Sequence, residues 1–473
     1  MGTSERKSLK LNETIVIASM LFGMFFGAGN LIFPIHMGQL AGSNTVAAAI
    51  GFIITGVGFP LLAVASFGMS GTEDMLHLSS KISKGYGIFF TSLLTLSIGP
   101  FFAIPRCATT SFTVGIEPIV HSSNKIALLL FSLAFFAIVL VFSLKETALL
   151  TWIGKVINPL FLVVYGVLLI ASFVKPIASF TSIQPDASYA STSLLNGVLE
   201  GYNTIEEPFR RFQALLNGVL EGYNTMDALA GLLFGIVVID AVKNFGVSGD
   251  KNIMRSTMLS GVYTCVLMAV IYMLSSIMGA SSRGIFPISD NGGIALSEIS
   301  HHYFGRFGAT LLAAIVTLAC LKTSIGLVAS CSSLFVKIFS GLKLSRTAWV
   351  YIITIFSFVV ANFGLNTIIQ ISVPVLMFIY PLTITLILLA IFGNIFKQDR
   401  IVYQCVTIFT LIPSIVDGLG SAPDSFKEVL NLNGFISAAR GILPFANNGF
   451  GWVVPAVIGL VLGLVLHMTS KKA

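Results

Sequence analysis

FFGAGNLIFP, residues 25–34, sets two glycines, an asparagine and a proline inside an otherwise unbroken apolar run, where a stable helix would take leucine. The run spans residues 14–36, long enough to cross a hydrocarbon core of about 30 Å. Gly27 and Gly29 carry no Cβ, so the backbone can leave helical geometry there and present bare amides and carbonyls at mid-membrane depth. Irregular backbone survives at that depth only where it is buried in protein or lines a cavity. Close packing of small residues accounts for the glycines alone. Asn30 and Pro34 add polarity and a kink that packing does not need, so the stretch predicts a broken first helix.

The whole chain supplies the setting. Of 473 residues, 55% are hydrophobic and 10% charged, with a mean hydropathy of +0.92, too little charge to cover a soluble surface of this size. Apolar runs of about 20 residues recur about twelve times, at residues 14–36, 46–67, 87–112, 126–144, 150–174, 216–242, 258–280, 309–339, 349–363, 368–392, 401–416 and 451–467. Pro100, Pro105 and Arg106 interrupt the third. Such spans are too long and too uniformly apolar for barrel strands, so the chain reads as an all-α polytopic membrane protein.

Arg6, Lys7 and Lys10 precede the first run, which exceeds a signal-peptide core and shows no small-residue cleavage pattern. It is read as a retained helix. Lys and Arg divide about two to one in favour of the loops on the N-terminal side, which places both termini in the cytoplasm and the protein in the cell membrane. The formal charge of +7 belongs to that bias and does not imply nucleic acid. Cys107, Cys265, Cys320, Cys331 and Cys405 stand singly, mostly within apolar runs, and are expected to pack in the core. With neither HExxH nor GxSxG, the sequence gives no support to an intramembrane hydrolase.

One segment repeats directly. LLNGVLEGYNT occurs at 194–204 and again at 215–225, separated by IEEPFRRFQA. Glu206, Glu207, Arg210 and Arg211 do not belong in lipid, and only the second copy runs into an apolar stretch. The second copy is therefore assigned to the sixth span and the first to an enlarged outer loop at about residues 175–215.

That sixth span opens with EGYNTMD, residues 221–227, so it too is interrupted by glycine and polar residues. Helices one and six would be equivalent if five helices are followed by five of opposite orientation, and paired broken helices mark the site of a secondary transporter. Half-helix N-termini there can hold a carboxylate, and unwound carbonyls can hold Na⁺ or an ammonium group. Asp227 suits either a substrate ammonium or a helix cap. Glu221 suits the outer vestibule or a loop arginine.

The eighth span contributes CLKTSIG, residues 320–326. The Thr323 and Ser324 hydroxyls and the Cys320 carbonyl share a side, so three oxygens can converge on a hard cation. Lys322 falls roughly opposite that face, which points to a pairing elsewhere in the bundle. Arg106 is expected to snorkel at an outer helix end. His301 and His302 are expected in a polar outer loop. Phe101, Phe102 and Tyr223 can wall an apolar side chain.

FFGAGNLIFP, the AIPR of residues 103–106, EGYNTMDAL at 221–229 and LACLKTSIGL at 318–327 resemble the bacterial branched-chain amino acid:cation symporters. The likeness covers nearly the whole chain outside the extra loop. It implies sodium-driven uptake of leucine, isoleucine and valine on a leucine-transporter-type fold, with a 5+5 inverted repeat in residues 14–393 and two additional helices in 394–473 ahead of a cytoplasmic C-terminus; residues 1–13 form the cytoplasmic N-terminus. Carried over motif by motif, it implies that the carbonyls of Gly23, Phe26 and Cys320 join Thr323 and Ser324 around sodium. Gly27, Ala28 and Gly29 would offer amides to the substrate carboxylate, with Asn30, Phe101, Tyr223, Asn224 and Asp227 around the substrate. Where neurotransmitter-type relatives place an arginine before the Phe-Pro of the first helix, Ile32 stands here, so no gate through that arginine is implied. A proton-coupled amino acid or nucleobase carrier of the same fold is the nearest alternative. A channel or sensor is a further one, although no continuous polar pore lining appears.

Overall fold

The computed structural model describes residues 7–72, 74–120, 125–144, 148–190 and 206–470. Arg6, Lys145, Lys471, Lys472 and the first copy of the repeat lie outside them. The first apolar run forms two helices, α1 (Leu11–Phe25) and α2 (Ala28–Ala41), parted at Phe26 and Gly27, both in extended conformation. Pro34 is accommodated inside α2, so the break falls at the glycine and not at the proline.

The second span is α3 (Thr45–Ile53), a π-type turn, and α4 (Phe59–Ser70). The third is α5 (Lys84–Leu96) and α6 (Ala103–Gly115), joined through a turn in which Gly99 leaves helical geometry. Then follow α7 (Lys125–Leu144) and α8 (Ala148–Val174).

The sixth span is broken as expected. α9 (Glu206–Glu221) ends in a 3₁₀ turn over Gly222–Thr225, Met226 takes a left-handed conformation with φ 63°, and α10 (Asp227–Asn244) continues. Where the sequence suggested a loop reaching about residue 215, the helix already starts at Glu206. Arg210 and Arg211 lie on its exposed flank, where the Arg211 guanidinium donates to Glu207 one turn back at 2.5 Å. The longer helices that follow are α11 (Asp250–Ser282), α12 (Gly292–Ile338), α13 (Arg346–Ala361), α14 (Leu365–Phe392), α15 (Arg400–Gly420), α16 (Asn433–Ile442) and α17 (Val453–Ser470). His301 and His302 sit in α12, exposed, one turn before a kink at Gly305 with φ 62°, and not in a loop.

Packing follows a pseudo-two-fold exchange between the two sets of five. α1 and α2 both pack on α11, and α9 and α10 pack on α3 and α4. The first helix thus lies on the seventh as the sixth lies on the second. α6 packs on α12, and α7 on α13, each pair consistent with the same exchange. Glycines set the close crossings. A Cβ on Gly38 would strike the Ser276 carbonyl and one on Gly279 the Ile35 carbonyl; one on Gly51 would strike Leu215 and one on Gly218 the Ala48 carbonyl. Both crossings therefore bring backbone against backbone, the small-residue solution that lipid favours.

Gly218 belongs to the second copy of the repeat. Gly218→Leu should cost at least about 1–3 kcal/mol by overpacking, read as a lower melting temperature of the purified protein. Gly166→Ala, which meets nothing within 4 Å, should leave that temperature unchanged.

The last two long helices pack on each other, α15 on α17, and reach the core through α14.

Candidate functional site

The two breaks face one another across a small cavity of about 30 Å³, bounded by Gly27, Ala28, Gly29 and Asn30, by Thr225, Met226 and Asp227, and by Arg106, Cys107 and Thr323. Its apolar walls are Met24, Phe25, Ile98, Ala103, Ala230, Phe234 and Leu327. That is room for about two waters, so a branched side chain enters only if the halves of the broken helices move apart.

The break in the first helix is held by Asn30. Its Oδ1 accepts from the Gly27 N–H at 2.9 Å, so that N–H turns away from the Gly23 carbonyl it would meet in a continued helix. The Asn30 amide nitrogen donates to Asp227 Oδ2 at 2.5 Å and to the Tyr272 hydroxyl. Tyr272 donates to the same Asp227 oxygen at 3.1 Å. Asp227 makes no capping bond for α10. It instead joins helices one, six and seven, all three groups being at most 2% exposed.

Arg106 does not snorkel. It is 2% exposed, donates through Nη1 to the Asn224 carbonyl at 2.7 Å, and lies 5.0 Å over the Phe33 ring. A Cβ on Gly29 would stand 2.8 Å from its Nη2. The kink at Gly99 and Pro100 turns α6 inward, which brings the guanidinium to the N-terminus of α2. Two sources of positive potential, the half-helix terminus and a permanent cation, thus share one spot.

The predicted cation ligands are partly gathered. Thr323 faces Gly27: a Cβ there would lie 3.6 Å from its Oγ1, which also donates back to the Ala319 carbonyl at 3.1 Å. Ser324 is fully buried, with a hydroxyl that has no hydrogen-bond partner among the described residues. It and Cys320 lie beside Cys107 of α6.

Lys322 departs from the helical-wheel expectation. Its long stem carries the ammonium to Gly23, where a Cβ would strike both Lys322 Nζ and the Asn158 amide. Lys322 Nζ donates to Asn158 Oδ1 at 2.5 Å, and the side chain is 8% exposed.

Three predicted substrate residues stand outside the cavity lining. Phe101 packs 5.2 Å from Phe356. Tyr223 stacks on Tyr380 with centroids 4.1 Å apart. Asn224 contributes its carbonyl to Arg106. Tyr272, Asn158 and Tyr380 escaped the reading of the sequence because a lone polar residue in an apolar run carries no sign of its partner. Arg106 did carry a signal, a charge inside a span.

A family model described as branched-chain amino acid transport protein matches residues 10–207 and 206–470. The branched-chain amino acid permease BrnQ of Lactobacillus delbrueckii subsp. lactis is 42% identical, over 99% of this chain and 99% of its own. The permease BrnQ of Bacillus subtilis (strain 168) is 38% identical, over 98% and 99%. Among solved structures, a nucleobase-cation-symport-1 family transporter in a closed conformation with bromovinylhydantoin bound covers 96% of this chain and 92% of its own at a TM-score of 0.57 and 13% identity. MhsT in complex with L-phenylalanine covers 98% and 99% at 0.55 and 14%. At such identities the two structures carry the fold alone, the leucine-transporter type with its broken helices.

Proposed function

The chain belongs to the branched-chain amino acid transport protein family, and from that premise we propose that it takes up leucine, isoleucine and valine across the cell membrane with sodium, by alternating access, with both termini in the cytoplasm. It is a multi-pass membrane transport protein, not an enzyme. The observation that carries the proposal is the cavity between the two breaks, with Arg106 and Asp227 at its polar end and apolar walls elsewhere. The α-carboxylate goes to Arg106 and the amides of Ala28 and Gly29, the Gly27 amide being held by Asn30. The ammonium goes to the unwound turn before α10 and to Asp227. Burying a branched side chain against the walls contributes about 1.5–3 kcal/mol, one to two powers of ten in affinity. Isoleucine and valine should therefore displace labelled leucine in proteoliposomes while lysine and glutamate do not; equal competition by all four ends the reading.

Sodium is assigned to the carbonyls of Gly23, Phe26 and Cys320 and the hydroxyls of Thr323 and Ser324. In support, the Gly23 carbonyl is freed by the break, and the buried Ser324 hydroxyl has no partner among the described residues. Thr323→Val and Ser324→Ala each remove one oxygen at nearly constant volume. Both should raise the sodium concentration for half-maximal leucine uptake.

One observation favours a second reading. The Lys322 ammonium lies against Gly23, and two cations at that place would repel strongly in a low dielectric. Under proton coupling, Lys322 itself would be the cation at the break. Uptake by the parent that ignores sodium, follows a proton gradient and disappears in Lys322→Gln selects that reading; an unshifted sodium curve in both hydroxyl variants moves the sodium site elsewhere.

A further inference from the structure

The two additional helices enclose a second polar cluster that the substrate cavity does not use. Asp417, one turn from the end of α15, is 1% exposed, and neither of its carboxylate oxygens has a hydrogen-bond partner among the described residues. Among the described residues the Tyr223 hydroxyl, the Trp452 indole N–H and the Arg440 Nε likewise have none. An ionisable group inside a membrane span is costly and calls for a functional reading.

The four groups converge from four elements. Asp417 Oδ1 lies 3.5 Å from the place of a Cβ on Gly451, the neighbour of Trp452. The guanidinium of Arg440, from α16, rests against Gly420, one turn along from Asp417, and its charge acts on that carboxyl. The charge of Asp417 in turn reaches the Tyr223 phenol, beside the Trp452 side chain. From α14 the nearest titratable group is Tyr380, stacked behind Tyr223.

We propose that Asp417 is a proton-binding site and that Tyr223 transmits its state to the broken sixth helix. The chemistry of the cluster selects a proton over a metal cation. Indole and guanidinium nitrogens only donate hydrogen bonds and cannot ligate a metal, and the permanent charge of Arg440 repels one. Ionised, Asp417 attracts the Arg440 guanidinium and the Tyr223 and Trp452 donors that surround it. Protonated by a proton from the adjacent aqueous phase, it becomes neutral and loses that attraction to the donors around it. The grip on Tyr223 therefore weakens when the proton binds.

That grip matters to transport because of where Tyr223 stands. It lies in the 3₁₀ turn next to Asn224, whose carbonyl holds Arg106. The segment before α17 also clasps α9 directly: Asn448 Nδ2 donates to Gln213 Oε1 at 2.7 Å. The two additional helices thus hold one wall of the opening that the substrate needs, and the proton loosens that hold.

The inference rests on the transport reading, and its test is kept separate from it. Leucine counterflow is measured in proteoliposomes with equal pH on both faces, across a pH series at saturating sodium, for the parent and for Asp417→Asn, Asp417→Glu and Arg440→Gln. The parent should show a pH-dependent exchange rate, Asp417→Asn should lose that dependence and run at the parent's acid-limit rate, and Asp417→Glu should restore it. Arg440→Gln should move the midpoint to higher pH, since loss of the neighbouring cation makes the carboxyl hold its proton more tightly. If Asp417→Asn does not fold, the Arg440→Gln shift decides. A profile identical to the parent's in Asp417→Asn, or an unmoved midpoint in Arg440→Gln, overturns the proposal and leaves Asp417 a fixed structural group. Absence of leucine exchange in the parent would instead overturn the transport reading.

Discussion

Arg106→Met should lower the efficiency of leucine transport by roughly 1.5 to 3.5 powers of ten with the protein still in the membrane, because truncating one partner of a buried, hydrogen-bonded charge pair costs about 2–5 kcal/mol. The guanidinium is 2% exposed, sits at the N-terminus of α2, and has a buried Nε without a partner among the described residues. Its loss removes the only permanent cation among the lining residues of the cavity. Arg106→Lys should recover part of the loss, since an ammonium keeps the charge but not the fork that grips a carboxylate. Leucinol, which lacks the carboxylate, separates binding from architecture. It should compete weakly and equally in the parent and in Arg106→Met. An unchanged leucine affinity in Arg106→Met would reduce the residue to a tie between α6 and the Asn224 carbonyl.

Asp227→Ala should abolish uptake and lower stability together. Asp227 Oδ2 receives both the Asn30 amide and the Tyr272 hydroxyl, and removing it leaves two buried donors unpaired at about 1–3 kcal/mol each. Asp227→Asn then divides the two roles. It keeps an oxygen for the clasp and loses the charge. If Asp227 neutralises the substrate ammonium, Asp227→Asn melts near the parent's temperature yet transports poorly. If it serves only as a clasp, uptake returns with stability. Melting of the purified protein and uptake at matched surface expression give both readings from one set of variants.

Both broken helices were legible in the residues. Gly27 and Gly29 within an apolar run, and EGYNTMD at the head of another, signal irregular backbone because lipid tolerates such residues only around a cavity. The structure placed the first break at Phe26 and Gly27, ahead of Pro34. Element ends were less legible. IEEPFRRFQA looked like loop because of its charges, yet α9 starts at Glu206, since charges on the exposed flank of a helix end cost little.

What the sequence determined by itself is whatever depends on local chemistry: the solvent class, the number and rough limits of the spans, the two breaks and the residues able to make them. Tertiary structure alone decided which distant groups meet. Arg106 was assigned to the surface by its place near a span end and was drawn inside by the kink at Gly99. Lys322 was sent away from the break by helical geometry and was returned to Gly23 by four flexible methylenes and by Asn158, which comes from α8. Asp417 gave no sign of Tyr223, which stands in a different span. Helix periodicity fixes the face on which a side chain leaves the backbone, but a long side chain and a neighbouring helix fix where its charge comes to rest.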